Sequence, residues 1–100
     1  MKRELVQSPP VLDAASRTAF YDRALACLER LQSEGPGCQL VIDMRTTRRV
    51  DSSGLSTLVL LQVRAAERKH TVGLLGVSEE IRFLLLMTRL EERFDLDPGV

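Results

Sequence analysis

The sequence lacks the side chains and the long apolar segments that several classes of binding protein need. It has no tryptophan, one tyrosine and three phenylalanines, so little is available to stack on nucleic-acid bases. Its 14 basic residues are balanced by 14 acidic ones, which argues against a nucleic-acid-binding or polybasic membrane-anchoring surface. No run of about 20 apolar residues is present. We therefore expect neither direct nucleic-acid binding nor membrane insertion.

Cysteine and histidine are also scarce. The two cysteines, Cys27 and Cys38, lack the spacing of a metal or redox site, and we expect free thiols rather than a disulfide. The amino-terminal residues MKRELVQSPP lack the apolar middle of a signal peptide. Together these features predict a cytoplasmic protein without a metal site.

The sequence does contain enough apolar material for one ordinary domain. Apolar residues make up 44% of it and charged residues 28%, which is typical of a globular chain and not of a disordered one. A chain of this length buries roughly two thirds of its unfolded surface. We expect a single domain over residues 1–100, built around one core.

The apolar periodicity predicts strands that alternate with helices. The predicted strands lie at residues 3–8, 39–44 and 72–75, and residues 94–96 are predicted to be either a last strand or an extended tail. The predicted helices lie at residues 14–33, 53–68 and 79–89. Asp13 and Ser78 are expected to cap the first and third helices, and Pro9–Pro10 ends the first strand. This alternation predicts a mainly parallel sheet with right-handed crossovers.

A polar segment links the second strand to the second helix. Residues 46–50 are predicted to be a polar connector. We expect the arginines in and beside this connector to be solvated; they are Arg45, Arg48 and Arg49. In a parallel sheet, binding sites lie beyond the carboxyl ends of the strands. The next residues, Asp51–Gly54, fall at this edge, so the topology makes them the first candidate site.

The stretch DSSG holds more capping residues than one helix can use. We expect Ser52 or Ser53 to be the N-cap of the second helix, since serine is a preferred capping residue. Glycine early in a helix costs up to about 1 kcal/mol relative to alanine, so Gly54 needs a reason of its own. Its missing side chain would let another backbone or a partner come close. A cap alone therefore does not explain the whole stretch.

The start of this helix also favours negative charge. Free backbone amides and the helix macrodipole attract anions there. A phosphate on Ser52 would add about −1.5 to −2 charges, and the fold would tolerate it. Beside Asp51, it would turn a mildly acidic surface into a strongly acidic one. The stretch therefore predicts a modifiable surface on which a docked protein partner would be repelled.

Catalytic alternatives find less support. The stretch is neither a P-loop nor a G-x-S-x-G nucleophile elbow. The only histidine, His70, is expected to be a solvated residue at the far end of the second helix, too distant to activate Ser52. Asp13, Asp43 and Asp51 could together bind Mg²⁺, although helix cap and strand-end residue are simpler roles for the first two. We expect no enzyme activity and no cofactor.

The segment VIDMRTTRRVDSSGLSTLVLLQVRAAE resembles a known family. An apolar strand ends in Asp43, a short connector follows, and Asp51–Leu55 (DSSGL) opens a helix. This pattern is similar to the STAS domain of bacterial anti-sigma factor antagonists. The segment TVGLLGVSEEIRFLLLMTRLEERFDL continues the likeness, which covers about residues 11–96. The resemblance implies an α/β fold: a STAS-like single domain with a mainly parallel four-stranded sheet and three helices.

The resemblance also implies roles for individual residues. Ser52, the first serine after the aspartate, would be the phosphoacceptor. The partner-binding surface would comprise Asp13, Asp51, Ser53, Gly54 and Leu55. The implied partners are an anti-sigma factor that is also a serine kinase, and a PP2C-type phosphatase that resets the switch. The unphosphorylated domain would bind the kinase and so free the sigma factor.

The amino-terminal region departs from the family pattern. The family usually has two strands before the first helix, whereas this chain has room for one, with Pro9–Pro10 in place of a glycine-containing turn. A shortened strand region would leave a sheet edge for a partner or a second copy to cover, so self-association is a further expectation. The departure keeps an alternative open, a non-catalytic STAS subunit of an ABC lipid-transport or stress-sensing assembly.

Overall fold

A computed structural model describes residues 2–97. The strands are β1 (Arg3–Gln7), β2 (Val11–Leu12), β3 (Gln39–Asp43), β4 (Arg49–Val50), β5 (Thr71–Leu75) and β6 (Asp95–Asp97). The helices are α1 (Arg17–Gln32), α2 (Ser52–Glu67) and α3 (Glu79–Met87), with a short 3-10 helix at Glu91–Arg93. One sheet has the order β1-β3-β5-β6, with every neighbouring pair parallel. The predicted α/β fold, a parallel four-stranded sheet with three helices, is confirmed.

The edge strand β1 pairs with β3 along its full length. Five residues are in register, from Arg3 opposite Gln39 to Gln7 opposite Asp43. Strand β5 pairs with the other side of β3 over the same five positions. Helices α1 and α2 carry the chain back between these strands, as parallel pairing requires. The carboxyl ends of β1, β3 and β5 therefore lie together at one edge of the sheet.

The structure has two strands before α1, where the sequence predicted room for one. After β1 the Pro9–Pro10 pair interrupts the sheet, because proline has no amide hydrogen to donate. The chain then forms β2, which pairs in parallel with β4 and places Leu12 opposite Val50. The predicted polar connector at 46–50 therefore ends in a strand. Strands of two residues show too little alternation to be recognised in a sequence.

The core lies on one face of the sheet, under the three helices. Buried side chains point there from the two central strands: Leu40, Ile42, Val72 and Leu74. They form one apolar cluster with buried residues of the helices, among them Phe20, Leu28, Leu61 and Leu85. The predicted free thiols, Cys27 and Cys38, are buried in this cluster and unpaired. Within residues 2–97, no helix is long and apolar enough to cross a membrane.

A row of hydrogen bonds crosses the opposite face of the sheet, which is partly open. Arg3 Nε donates to Gln39 Oε1 at 3.0 Å, and Gln39 Nε2 donates to Asp95 Oδ2 at 2.8 Å. The row passes over β5 at Gly73 and links both edges of the sheet. It gives the amide of Gln39 its partners on a face where Leu5 of β1 is 58% exposed.

Helix α1 begins three residues later than predicted. Residues 14–16 form a turn instead, and Oδ1 of Asp13 accepts from the backbone amides of Ala15 at 3.0 Å and Ser16 at 3.1 Å. The hydroxyl of Ser16 donates to the carbonyl of Val11 at 2.7 Å and ties this turn to β2. Asp13 therefore caps the turn before the helix, and the prediction that it caps α1 itself is wrong.

His70 is buried, so the prediction of a solvated helix-end residue is wrong. Only 5% of it is exposed, and its Nδ1 accepts a hydrogen bond from the backbone amide of Cys38 at 3.1 Å. The chain reverses after α2 through Lys69, whose φ of 61° is left-handed. There Gly37 donates to the Lys69 carbonyl at 2.9 Å, which packs the loop before β3 against the imidazole. His70 is a structural residue at the end of α2 opposite Ser52.

Candidate functional site

Two segments that are distant in the chain meet where the candidate site begins. Strands β2 and β4 lie side by side, and the backbone amide of Asp51 donates to the carbonyl of Leu12 at 3.2 Å. Since Leu12 pairs with Val50, the residues that follow them, Asp13 and Asp51, leave the pair at the same end. The structure thus brings Asp13 to the start of α2, as the predicted site requires.

Asp51 is the N-cap of α2. Its Oδ1 accepts a hydrogen bond from the backbone amide of Gly54 at 2.9 Å, and its carbonyl accepts from the amide of Leu55 at 2.8 Å. The prediction that Ser52 or Ser53 caps the helix is wrong. Asp51 follows β4 directly and keeps an extended backbone, with φ −94° and ψ −172°, so the helix begins only at the next residue.

Ser52 is the first residue of α2, and it is exposed. Its hydroxyl forms no hydrogen bond within the part of the chain that the structure describes. Its carbonyl accepts from the hydroxyl of Ser56 at 2.9 Å, one turn further along the helix. Because the backbone amides of a first helical turn lack partners within the helix, an anionic group on this hydroxyl would meet hydrogen-bond donors.

Three of the other predicted site residues border this surface. Asp13, Ser53 and Leu55 are half-buried around the exposed pair Asp51 and Ser52. The carbonyl of Ser53 accepts from a threonine hydroxyl one turn further along α2 at 2.9 Å, and Leu55 packs against the apolar core. The five residues lie around the start of α2, and Asp51 and Ser52 are the exposed members of the group.

Gly54 is buried, and its neighbours belong to this chain. A Cβ at this position would overlap the carbonyl oxygen of Leu12 and lie 2.9 Å from its carbonyl carbon and from its Cγ. The missing side chain therefore lets α2 approach β2, which is the close approach of another backbone that the sequence suggested. Gly54 therefore sets how closely α2 packs on β2, and it does not contribute to the exposed surface of the site.

Asp43 belongs to an ion pair at the end of β3. Arg45 Nε donates to Oδ1 of Asp43 at 3.0 Å, and Nη2 donates to Oδ2 at 2.9 Å. These hydrogen bonds hold the pKa of the Asp43 carboxyl below its usual value. Within residues 2–97, no group of three or more His, Cys, Asp or Glu side chains is placed to hold a metal ion. The triad of Asp13, Asp43 and Asp51 therefore does not form a magnesium site.

A cleft that the sequence did not predict lies beside this site. Arg49 and Val50 of β4 lie across a cleft of about 280 Å³ from Phe83 and Met87 of α3. A signal for it is present in the sequence, because the run FLLLM at 83–87 has more apolar side chains than one buried helix face can hold.

Comparisons with known proteins agree with this arrangement. The profile of a family described as "Mlab, STAS domain" matches residues 10–97. A crystal structure of a sulfate transporter family protein from Wolinella succinogenes matches with a TM-score of 0.70 and 21% sequence identity, covering 98% of this chain and 78% of that one. At this level of identity, the likeness shows a shared fold. A comparison with curated proteins gave no significant match.

The family match extends from the residue before β2 to the end of β6, so it includes every residue of the candidate site. STAS domains are a family of protein-interaction domains. This chain belongs to the STAS domain family.

Proposed function

We propose that this domain is an anti-sigma factor antagonist, and that phosphorylation of Ser52 switches its binding to an anti-sigma factor that is also a serine kinase. The position of Ser52 carries the proposal, because it is exposed, stands first in α2 and caps nothing. We infer that the domain acts in the cytoplasm, by binding and by being modified, and that it catalyses no reaction itself.

The start of α2 can accommodate a phosphate without damage to the fold. The amides of the first turn and the helix macrodipole favour an anion at this end. The capping hydrogen bond runs from Gly54 to Asp51, so it stays in place when Ser52 is modified. Phosphorylation therefore changes the charge of the surface while the contacts that hold the helix remain.

The change in charge is large for so small a surface. Asp51 precedes Ser52, and Asp13 leaves the neighbouring strand at the same end. A phosphate of about −1.5 to −2 charges would roughly double the negative charge that these two carboxylates provide. A kinase docked here, over Ser53 and Leu55 as well, would lose affinity through like-charge repulsion. A PP2C-type phosphatase would restore binding.

Mapping of the phosphorylated residue tests this assignment. The domain is incubated with ATP and with the serine kinase of the anti-sigma factor type from the same genome, and phosphopeptides are identified by mass spectrometry. We expect modification at Ser52 in the wild type and in Ser53→Ala, and none in Ser52→Ala. Phosphorylation of Ser53 instead of Ser52, or of neither serine, would refute the proposal.

The effect on binding is tested with the same kinase. Ser52→Asp carries part of the charge of a phosphate and should weaken binding, whereas Ser52→Ala should retain it. Ser56→Asp is the matched control, because Ser56 is also exposed on α2 but lies one turn further along. It should bind nearly as well as the wild type. Equal losses in both aspartate variants would mean that the position of the charge is irrelevant.

A second candidate function is that of a non-catalytic STAS subunit in an ABC lipid-transport or stress-sensing assembly. The shared fold with a sulfate transporter family protein favours it. A stable complex with a membrane ATPase that Ser52→Asp leaves intact would support this alternative. Neighbouring genes also discriminate, since a kinase and a sigma factor fit the first function, and a permease and an ATPase fit the second.

A further inference from the structure

Helix α3 carries apolar side chains on two faces. Ile81 and Leu85 are buried in the core. Phe83, Leu86 and Met87 are 61%, 55% and 65% exposed. A surface helix normally has a single apolar stripe, and exposed apolar clusters on small proteins commonly mark binding surfaces. The outer face of α3 therefore has the composition of a contact surface.

Part of this outer face lines a cleft beside the proposed phosphorylation site. The α3–β4 cleft lies between Phe83 and Met87 on one side and Arg48–Val50 on the other, with a volume of about 280 Å³. Its other lining residues are Glu80, Ile81 and Leu84. A groove with apolar walls of this kind is suited to the side chains of an amphipathic helix.

The charged rim of the α3–β4 cleft is mainly basic. Arg48 and Arg49 are exposed, and neither forms an ion pair within the described residues. Arg45, by contrast, has its guanidinium engaged by Asp43. Glu80 is the acidic member of the lining. Two unpaired guanidiniums against one carboxylate make an acidic occupant the better electrostatic complement.

We propose that the α3–β4 cleft binds an amphipathic helix of a protein partner, with apolar side chains on one face and acidic side chains along its flank. The apolar side chains pack between Phe83 and Met87, and the acidic ones pair with Arg48 and Arg49. The apolar contacts at the centre supply most of the affinity, and the charged rim sets the preference among partners.

Phosphorylation of Ser52 would also affect binding at the α3–β4 cleft. Arg49 stands three residues before Ser52, so their Cα atoms are no more than about 11 Å apart. A phosphate on Ser52 would attract the same guanidiniums that pair with the carboxylates of the partner. This link between cleft and phosphate rests on the proposed function, whereas binding of an acidic helix to the cleft does not.

Two synthetic helices serve as probes. The first is a capped peptide of about 18 residues, five turns long, with leucines on one face and glutamates on both flanks. The second has lysines in place of the glutamates. Each is titrated into the isotope-labelled 100-residue chain, and amide chemical shifts report binding. We expect the glutamate helix to bind about tenfold more tightly, with the largest shifts at Arg49, Phe83 and Met87.

Variants of exposed residues localise the binding. Phe83→Ser and Met87→Ser should each weaken binding of the glutamate helix about tenfold. The double change Arg48→Gln and Arg49→Gln should remove the preference for glutamate over lysine. Leu5→Ser is the matched control, because Leu5 is similarly exposed but belongs to the open face of the sheet. It should bind as the wild type does.

The cleft proposal would be overturned by equal affinity for the two helices, by no binding of either, or by shifts confined to the open face of the sheet. A wild-type dimer that Phe83→Ser converts to a monomer would also overturn it, since a second copy would then fill the cleft. If Ser52 is phosphorylated but the glutamate helix does not bind, only the cleft proposal is refuted. If the glutamate helix binds but Ser52 is not phosphorylated, only the proposed phosphorylation switch is refuted.

Discussion

The carboxylate of Asp51 accepts a hydrogen bond from the backbone amide of Gly54, at 2.9 Å. This contact caps α2 directly after β4 and leaves Ser52 as a helical residue whose hydroxyl has no capping role. Because Asp51 supplies the cap, modification of the Ser52 hydroxyl leaves the hydrogen bond between Asp51 and Gly54 in place. The division of roles between Asp51 and Ser52 allows the surface to be modified while the fold is kept.

Replacement of Asp51 by alanine should lower the free energy of unfolding by about 0.5–2 kcal/mol, because the amide of Gly54 loses its acceptor. Asp51→Asn retains a side-chain oxygen and should recover most of the loss. Ser52→Ala is the control, since its side chain caps nothing. Urea denaturation followed by circular dichroism compares the three variants. An Asp51→Ala variant as stable as Ser52→Ala would show that the cap contributes nothing.

Gly54→Ala should destabilise the protein, although alanine is ordinarily the better helix former by up to about 1 kcal/mol. The added Cβ overlaps the carbonyl of Leu12, so α2 must move away from β2 at a cost of about 1–3 kcal/mol. Thermal denaturation measures the effect, with Ser53→Ala as the neighbouring control. A higher Tm for Gly54→Ala would contradict the packing of α2 on β2.

Stability should depend on pH through Asp43. Because Arg45 lowers the pKa of the folded carboxyl, the ion pair stabilises the protein above the unfolded pKa of about 4. That stabilisation is lost as the pH falls from there through the folded pKa. Arg45→Gln should therefore differ most from the wild type near neutral pH, and the difference should shrink in acid. A difference that stays constant across an acid titration would exclude the ion pair as its source.

The row of hydrogen bonds across the open face of the sheet predicts that Gln39→Glu destabilises the protein, although the two side chains are nearly equal in size. Gln39→Glu replaces the amide that donates to Asp95 with a carboxylate, so two negative groups face each other. The free energy of unfolding should fall by about 1–3 kcal/mol at neutral pH. Asp95→Asn in the same chain should restore part of it. Strictly additive effects in this double-mutant cycle would show that the contact carries no energy.

The long periodic segments of the fold could be predicted from the sequence. The predicted helix 53–68 and strand 39–44 agree with α2 and β3 to within one residue at each end. Apolar spacing repeated over many residues determines such elements locally. The placement of Asp51 at the carboxyl edge of the sheet followed from the alternation of strands and helices alone.

The features that depend on a distant segment could not be predicted. Asp51 became the cap because β2 pairs with β4, and His70 became buried because the loop before β3 packs against it. Gln39 has its partners on β1 and β6, at opposite edges of the sheet. In each case the deciding contact lies far away in the chain, where local propensity carries no information.

The central claim is that phosphorylation of Ser52 controls binding of the kinase. The most direct test is calorimetric titration of that kinase with the unmodified domain and with the domain phosphorylated at Ser52. Repulsion from the added charge should weaken binding about a hundredfold in the phosphorylated form. Equal affinities for the two forms would contradict the account.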